Sequence, residues 1–414
     1  MSLKLLIKKT IGLINKIVKE QSMLIDLFKS NLTQINILLK KMMTFGKKIF
    51  NFSIFSLNLI ACISNQNDTL SENKSFNQNL TESRTYIAPK NKNIIYHGRV
   101  NHINGNESVI YWSGSGISIW FEGTSVAIIL DDLDGSNYYN AIIDNYAERK
   151  IIIDCIQGEQ IYEIANDLEP GIHRLELTRR TDASSPATIF KGVLIDLTSK
   201  IVEPQYKKEL KIEFYGNSIT SGHGILDETR VRNDDKSTWD NYFTYAASTA
   251  RALNADFRCI SMSGIGIMIS WYPLIMPELF DRLDPRNALL KWDFSTWKAD
   301  IVVINLLQND AWLINNLSPV PNDQERINAY KNFIKKIRMK YEDALIICTL
   351  GNMDACKEGS VWTNYVEMAV KDLSDNKIFY VPMTYKNTEG HPTVIENKEM
   401  ADVLIPFIKS KIGI

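Results

Sequence analysis

From Asn91 to Val202 apolar and polar positions alternate with a period of two, interrupted at short intervals by turn residues. Ser108 to Trp112, Gly116 to Phe121, Ser125 to Leu130, Tyr139 to Asp144, Lys150 to Cys155, Gln160 to Ala165, His173 to Thr178 and Thr188 to Leu194 read as strands. Clusters such as Asn104-Gly105-Asn106 and Asp134-Gly135-Ser136 separate them. Short strands without a long helical period predict an antiparallel β-sandwich, jelly-roll-like, over residues 91–202. The period changes at Glu203. Lys211 to Tyr215, Phe257 to Met262, Ile301 to Leu306, Ala344 to Leu350 and Ile378 to Val381 are strands. Helical patterns lie between and after them, at Thr238 to Asn254, Asn322 to Tyr341, Trp362 to Leu373 and Asn397 to Lys411. Strands alternating with helices predict an α/β domain over 203–414, a parallel doubly wound sheet with helices on both faces.

Upstream the pattern is different. Lys47 and Lys48 precede an apolar run, Ile49 to Ile60, that ends in Leu59-Ile60-Ala61-Cys62. A basic start, a short apolar segment and a small residue before a cut describe a secretory signal. Leu-Ile-Ala-Cys resembles the bacterial lipobox, which makes Cys62 the expected site of lipidation and residues 42–62 a lipoprotein signal peptide. The run is short for a membrane span. An Asn-, Ser- and Gln-rich stretch follows, too polar to bury a core, so residues 63–90 read as a flexible tether. Residues 1–41, rich in Lys, Leu and Ile, read as an upstream segment with translation starting at Met42 or Met43, or as a basic amphipathic helix on a membrane surface. The expected location is the cell surface or outer membrane of a bacterium, with the membrane reached through a lipid anchor.

Composition narrows the function. The 414 residues carry 47 Lys plus Arg against 48 Asp plus Glu, which argues against nucleic acid as the main partner. The five cysteines form no C-x-x-C pair, and no Cys/His spacing matches a metal site. Cys155, Cys259, Cys348 and Cys356 read as small buried hydrophobes.

In parallel sheets of this kind, sites lie beyond the carboxyl ends of the strands. The first strand runs into Gly216-Asn217-Ser218-Ile219-Thr220, where Gly216 permits a sharp turn that presents the Ser218 hydroxyl. The second ends in Ser261-Met262-Ser263-Gly264-Ile265-Gly266, where glycine lets a backbone N–H approach a ligand. The third ends in Asn305-Leu306-Leu307-Gln308-Asn309-Asp310, offering a side-chain amide. Serine needs a base to become a nucleophile. His97, His102 and His173 fall in the sandwich, leaving His223 and His391. His391, in the loop Glu389-Gly390-His391-Pro392, is the expected base; His223 lines the mouth or caps the nucleophile loop.

These blocks, in this order, resemble the SGNH/GDSL hydrolases. The sandwich before them, with His97-Gly98-Arg99-Val100, Gly171-Ile172-His173-Arg174-Leu175 and Arg179-Arg180-Thr181, resembles carbohydrate esterase family 2. Trp292-Asp293-Phe294-Ser295-Thr296-Trp297, before the third strand, belongs to the same likeness, which covers about Asn91 to Ile414. The resemblance implies a flavodoxin-like hydrolase domain. It also implies Ser218 as nucleophile and His391 as base, with an oxyanion held by the N–H groups of Ser218 and Gly264 and by the Asn309 amide. It implies a serine esterase that removes O-acetyl groups from xylan- or glucomannan-type glycans through an acyl-enzyme, with no metal or organic cofactor.

Five positions depart from the pattern, among them Asn217, where many relatives have Asp, and Gly390, where an aromatic is common. Leu307 and Gln308 replace the usual Gly-Thr, and Thr388 stands where many relatives carry the triad aspartate. Family 2 members often place the acid two residues before the histidine, which makes Glu389 the candidate, the alternative being a backbone carbonyl that orients His391. Among Trp271, Tyr272, Trp292, Trp297 and Trp312, the last is the preferred sugar-stacking residue. The competing readings are an SGNH lipase or thioesterase acting on acyl chains, and an inactive carbohydrate-binding surface protein.

Overall fold

Strand length and burial sort the chain into two halves that pack as one unit. The computed structural model describes residues 83–205, 208–232 and 234–414. The expectations for the upstream segment, the signal peptide and Cys62, and for the tether as far as residue 82, lie outside the described residues.

The first half is a sandwich of two antiparallel six-stranded sheets. In one, Thr188–Asp196 lies between Glu107–Ile110 and Val126–Asp132, with Gly158–Ala165 beyond. In the other, Gly116–Gly123 and Gly171–Arg179 lie side by side, followed by Tyr138–Ile143 and Ile151–Asp154. Ile117, Ile119, Phe121, Ile128, Leu130, Leu175, Leu177, Phe190 and Val193 fill the space between them. The sandwich begins earlier than the alternation suggested. Arg84–Ile87, assigned to the tether, pairs with Thr188–Asp196, Arg84 opposite Asp196 and Ile87 opposite Val193. Four residues of strand are too few to register as a period against the polar stretch before them.

The second half holds a parallel sheet of β1 (Lys211–Gly216), β2 (Asp256–Ser261), β3 (Ile301–Asn305), β4 (Leu345–Thr349) and β5 (Ile378–Tyr380), in the order β2-β1-β3-β4-β5. This is the flavodoxin-like order, whose direction reverses between β1 and β3. Both faces are covered. Phe214, Val303 and Ile347 pack against helices α1 (Tyr245–Ala252) and α4 (Val394–Ile412). Tyr215, Val302 and Ile346 pack against α2 (Asp323–Arg338) and α3 (Trp362–Lys371). Residue i and residue i+1 of a strand thus enter different cores, which explains the apolar runs of β3 and β4. A capping box between Asn322 and Glu325 starts α2.

The halves are joined by buried polar contacts. Arg99 from the sandwich pairs with Glu213 on β1, its Nη2 at 2.9 Å from Oε1. The Trp112 indole donates to the Leu283 carbonyl at 2.8 Å.

Candidate active site

Parallel register brings the chemistry-bearing loops to one edge. Gly216, the last residue of β1, stands level with Ser261 of β2 and Asn305 of β3. The three loops that follow therefore leave the sheet side by side, at the switch point where such folds place ligands.

After β1 the chain turns sharply. A Cβ on Gly216 would sit 1.9 Å from Thr220 Oγ1, so the turn excludes any side chain there. The Asn217 side chain accepts from the Ile219 N–H at 3.0 Å and caps a single helical turn, Ser218–Ser221. The N–H groups of Gly222 and His223 then both donate to the Ser218 carbonyl, at 3.0 and 3.1 Å. Ser218 is thereby fixed at the start of the turn, only 7% exposed.

The loop after β2 is tied back to this turn by the Met262 N–H on the Gly216 carbonyl, at 3.4 Å. Gly264 adopts φ +83°, a left-handed conformation that favours glycine, with Trp271 and Tyr272 packed against its Cα. The loop after β3 supplies Asn309. One amide hydrogen goes to the Ile265 carbonyl at 2.7 Å, and the amide oxygen accepts from the Trp271 indole at 3.2 Å. A second N–H remains for a ligand. Asp310 organises rather than reacts. Buried, it accepts from the N–H groups of Ile267, Met268 and Ile269. Burial pushes its carboxyl pKa up despite those bonds. Leu307, where glycine is usual, holds φ +91° while fully buried. The core around Leu306 and Leu307 compensates for that strained conformation.

His391 reaches the site from the loop before α4. Its ring stacks on that of His223, centroids 4.5 Å apart, and His223 stacks in turn on Trp239 at 4.1 Å. Burial, with His223 and Lys386 nearby, lowers the His391 pKa to about 3, against the opposing pull of Asp182. The imidazole is therefore neutral at pH 7. Among the described residues it forms no hydrogen bond to Ser218; catalytic bonds of this kind commonly tighten only around a reacting substrate.

Two expectations require correction. Glu389 is exposed, and among the described residues its carboxylate makes no hydrogen bond to His391. Its carbonyl, not its side chain, is engaged, by Lys386 Nζ at 2.8 Å and by Arg230. Arg230 also donates to the His391 carbonyl at 3.2 Å and pairs with Glu396 at 3.0 Å, clamping the loop through its backbone. We expect Glu389→Ala to change kcat by less than about threefold, where losing an orienting triad acid costs ~10⁴-fold; steady-state kinetics decide it. His223, assigned to substrate, is buried with both ring faces covered, and its Nδ1 meets Ser263 Oγ at 3.1 Å. Its ring packs on His391 rather than lining an open surface.

The aromatics also sort themselves. Trp292 and Trp297 enclose the Arg258 guanidinium, 4.3 and 3.9 Å from their ring centres, at the domain interface. Trp312 is 43% exposed and donates to Asp354 at the rim. Trp271, 63% exposed and hydrogen-bonded to Asn309, stands closer to the chemistry. The residue missed altogether is Asp182, immediately after Arg179-Arg180-Thr181, whose carboxylate reaches from the sandwich to the Ser263 N–H at 2.7 Å.

Comparison with known proteins places this architecture. Residues 96–204 match the family described as carbohydrate esterase 2 N-terminal. A solved family two carbohydrate esterase from Clostridium thermocellum, in complex with cellohexaose, is 30% identical with a TM-score of 0.68, covering 77% of this chain and 99% of that one. This chain belongs to carbohydrate esterase family 2. Within family 2, the structure from Cellvibrio japonicus shares the fold at TM-score 0.71 and 23% identity, covering 79% of this chain and 98% of that one. The cellulase/esterase CelE of Acetivibrio thermocellus is 30% identical over 342 residues, 78% of this chain. The chain spans 40% of the length of that enzyme. An acetylxylan esterase / glucomannan deacetylase of Cellvibrio japonicus is 25% identical over 344 residues, covering 80% of this chain and 92% of that protein.

Proposed function

We propose that this family 2 member is a serine esterase that removes O-acetyl groups from xylan- or glucomannan-type glycans. The observation that carries the reading is the convergence of the Ser218 turn, the Gly264 loop, Asn309 and the neutral His391 imidazole at the β1/β3 switch point. The names of its relatives support the substrate class.

In this reading Ser218 Oγ attacks the acetyl carbonyl and His391 takes its proton. The oxyanion is held by the N–H groups of Ser218 and Gly264 and by the free Asn309 amide hydrogen. His391 then protonates the departing sugar hydroxyl, and water attacks the acetyl-enzyme to release acetate. Each oxyanion donor contributes roughly 3 kcal/mol to the transition state. The imidazole stays deprotonated across neutral pH.

A second reading rests on one observation. A depression of about 500 Å³ beside Trp271 is lined by Met268, Ile269, Leu274 and Ile275, side chains suited to an acyl tail. Aryl esters of increasing chain length, together with acetylated xylan, separate the two. Acetate release from xylan and a preference for the aryl acetate are expected. A preference for the octanoate would favour the acyl-tail reading, and absence of turnover would overturn both.

The exposed Trp271 ring is the expected platform for the sugar. Trp271→Ala should raise KM for acetylated xylan about tenfold, the equivalent of about 1.4 kcal/mol of lost stacking. Trp271→Phe, which keeps a ring but loses the N–H to Asn309, should recover KM. Unchanged KM in the alanine variant would place the glycan elsewhere.

A further inference from the structure

We propose that Asp182, a residue of the sandwich half, is a positioning residue for the oxyanion site, bridging the nucleophile turn and the Gly264 loop. The inference rests on the esterase reading and adds to it a reason for the sandwich to be present at all.

The geometry is specific. One carboxylate oxygen, Oδ2, accepts the Ser263 N–H at 2.7 Å and lies 3.4 Å from the Ser221 hydroxyl, whose single hydrogen it shares with the Asn217 carbonyl at 3.2 Å and the Ser218 carbonyl. Ser221 closes the turn that begins at Ser218, and its hydroxyl also lies 3.3 Å from the Ser218 carbonyl. Ser263 immediately precedes Gly264. A single oxygen thus touches both segments whose backbone N–H groups face the oxyanion, firmly at Ser263 and through a shared contact at Ser221. The same serine extends the bridge to the base, since Ser263 Oγ meets His223 Nδ1 and His223 stacks on His391.

The carboxylate is not needed to shape its own loop on the side facing the site. Arg179 holds that loop through backbone carbonyls, donating to Asp182 at 3.1 Å, Ser185 at 3.2 Å and Pro186 at 2.9 Å. The other oxygen, Oδ1, caps the Ser184 N–H at 2.8 Å. That leaves Oδ2 to cross the domain boundary. Asp182 is fully buried, where an unpartnered carboxylate is expensive. Burial pushes its pKa up, but the hydrogen bonds from Ser184 and Ser263 and the nearby His223 outweigh it and hold the group below the usual carboxylate range.

Displacing oxyanion donors weakens binding in the transition state more than in the ground state, so the effect belongs in kcat. For Asp182→Ala we expect kcat on an aryl acetate to fall about 10- to 100-fold, with KM within about twofold of wild type. Asp182→Asn keeps the shape and one acceptor oxygen for the Ser263 N–H, and should recover most of the loss. A measurement independent of the substrate class is the rate at which an aryl phosphonate labels Ser218, read by mass spectrometry of the Ser218 peptide. It should fall in the same proportion, while cooperative thermal unfolding is retained. If acetyl esters prove not to be substrates, that reading falls, yet the labelling rates still report on the bridge. Wild-type kcat and labelling in Asp182→Ala would overturn the proposal. So would an asparagine variant as impaired as the alanine one, since the bridging hydrogen bond would then not be what matters.

Discussion

Ser218→Ala is expected to lower kcat by at least about 10⁴-fold while leaving the protein as stable as wild type. The two halves of that expectation come from the same observation. Among the described residues the Ser218 hydroxyl hydrogen-bonds no neighbour, whereas its backbone carbonyl and the Asn217 cap hold the turn. Removing the hydroxyl therefore removes the nucleophile without unpicking the loop. Residues that act as a unit are far from additive, so His391→Ala should cost about as much, and the double variant little more. The residual rate then measures what the oxyanion donors and substrate binding accomplish alone. Hydrolysis of an aryl acetate, followed beside the melting temperature, checks all of this. An alanine variant within tenfold of wild type would mean that Ser218 is not the nucleophile.

The elements legible in the sequence were those whose signal is local and long. β3 reads as a strand because it is apolar on both faces, and it is buried throughout. Helix α2 announced itself through its period. The first helix was shorter than its pattern. Two tight turns, Lys236–Thr238 and Asn241–Phe243, occupy the start of the stretch, each begun by an aspartate that caps it, and α1 starts only at Tyr245. Short strands such as Arg84–Ile87 and Ile95–His97 carry too few residues to show a period, and take their conformation from the partner strand.

The candidate site followed the same division. Ser218, Gly264 and Asn309 could be placed because each follows a strand directly, and strand register does the rest. Glu389 could not, although its spacing from His391 was suggestive. The direction of its side chain is decided by Arg230, 159 positions away, which takes hold of the loop by its carbonyls. Asp182 was hidden for a related reason. Its partner Ser263 lies 81 positions further on, across a domain boundary that no periodicity marks. Trp292 and Trp297 show why residue type alone does not locate a sugar platform. They look like sugar platforms by type, but cover a buried arginine.

The largest effect on stability is expected at the buried Arg99 network. Arg99 donates to Glu213 through Nε at 3.2 Å and Nη2 at 2.9 Å, to the Phe280 and Arg282 carbonyls through Nη1 at 2.6 and 3.0 Å, and to Tyr215 at 3.0 Å. Tyr341 completes the shell around Glu213, its hydroxyl at 2.7 Å. Both charged side chains are fully buried. Removing one partner strands the other charge away from water, at a cost of roughly 3–5 kcal/mol. We therefore expect Arg99→Ala to lower the melting temperature by about 5–15 °C. The pair itself need not be strongly stabilising, because desolvation offsets much of the attraction. Its contribution would then be specificity, fixing the sandwich against β1 in one arrangement. This makes the double variant informative. Arg99→Met with Glu213→Leu replaces the pair by apolar groups of similar size, and should be more stable than either single variant. It should still be less active than wild type, since β1 carries Glu213 near its start and leads directly to Ser218 beyond its end. Strictly additive losses in thermal unfolding would mean that the two residues contribute independently and that the domains are held in register by other contacts.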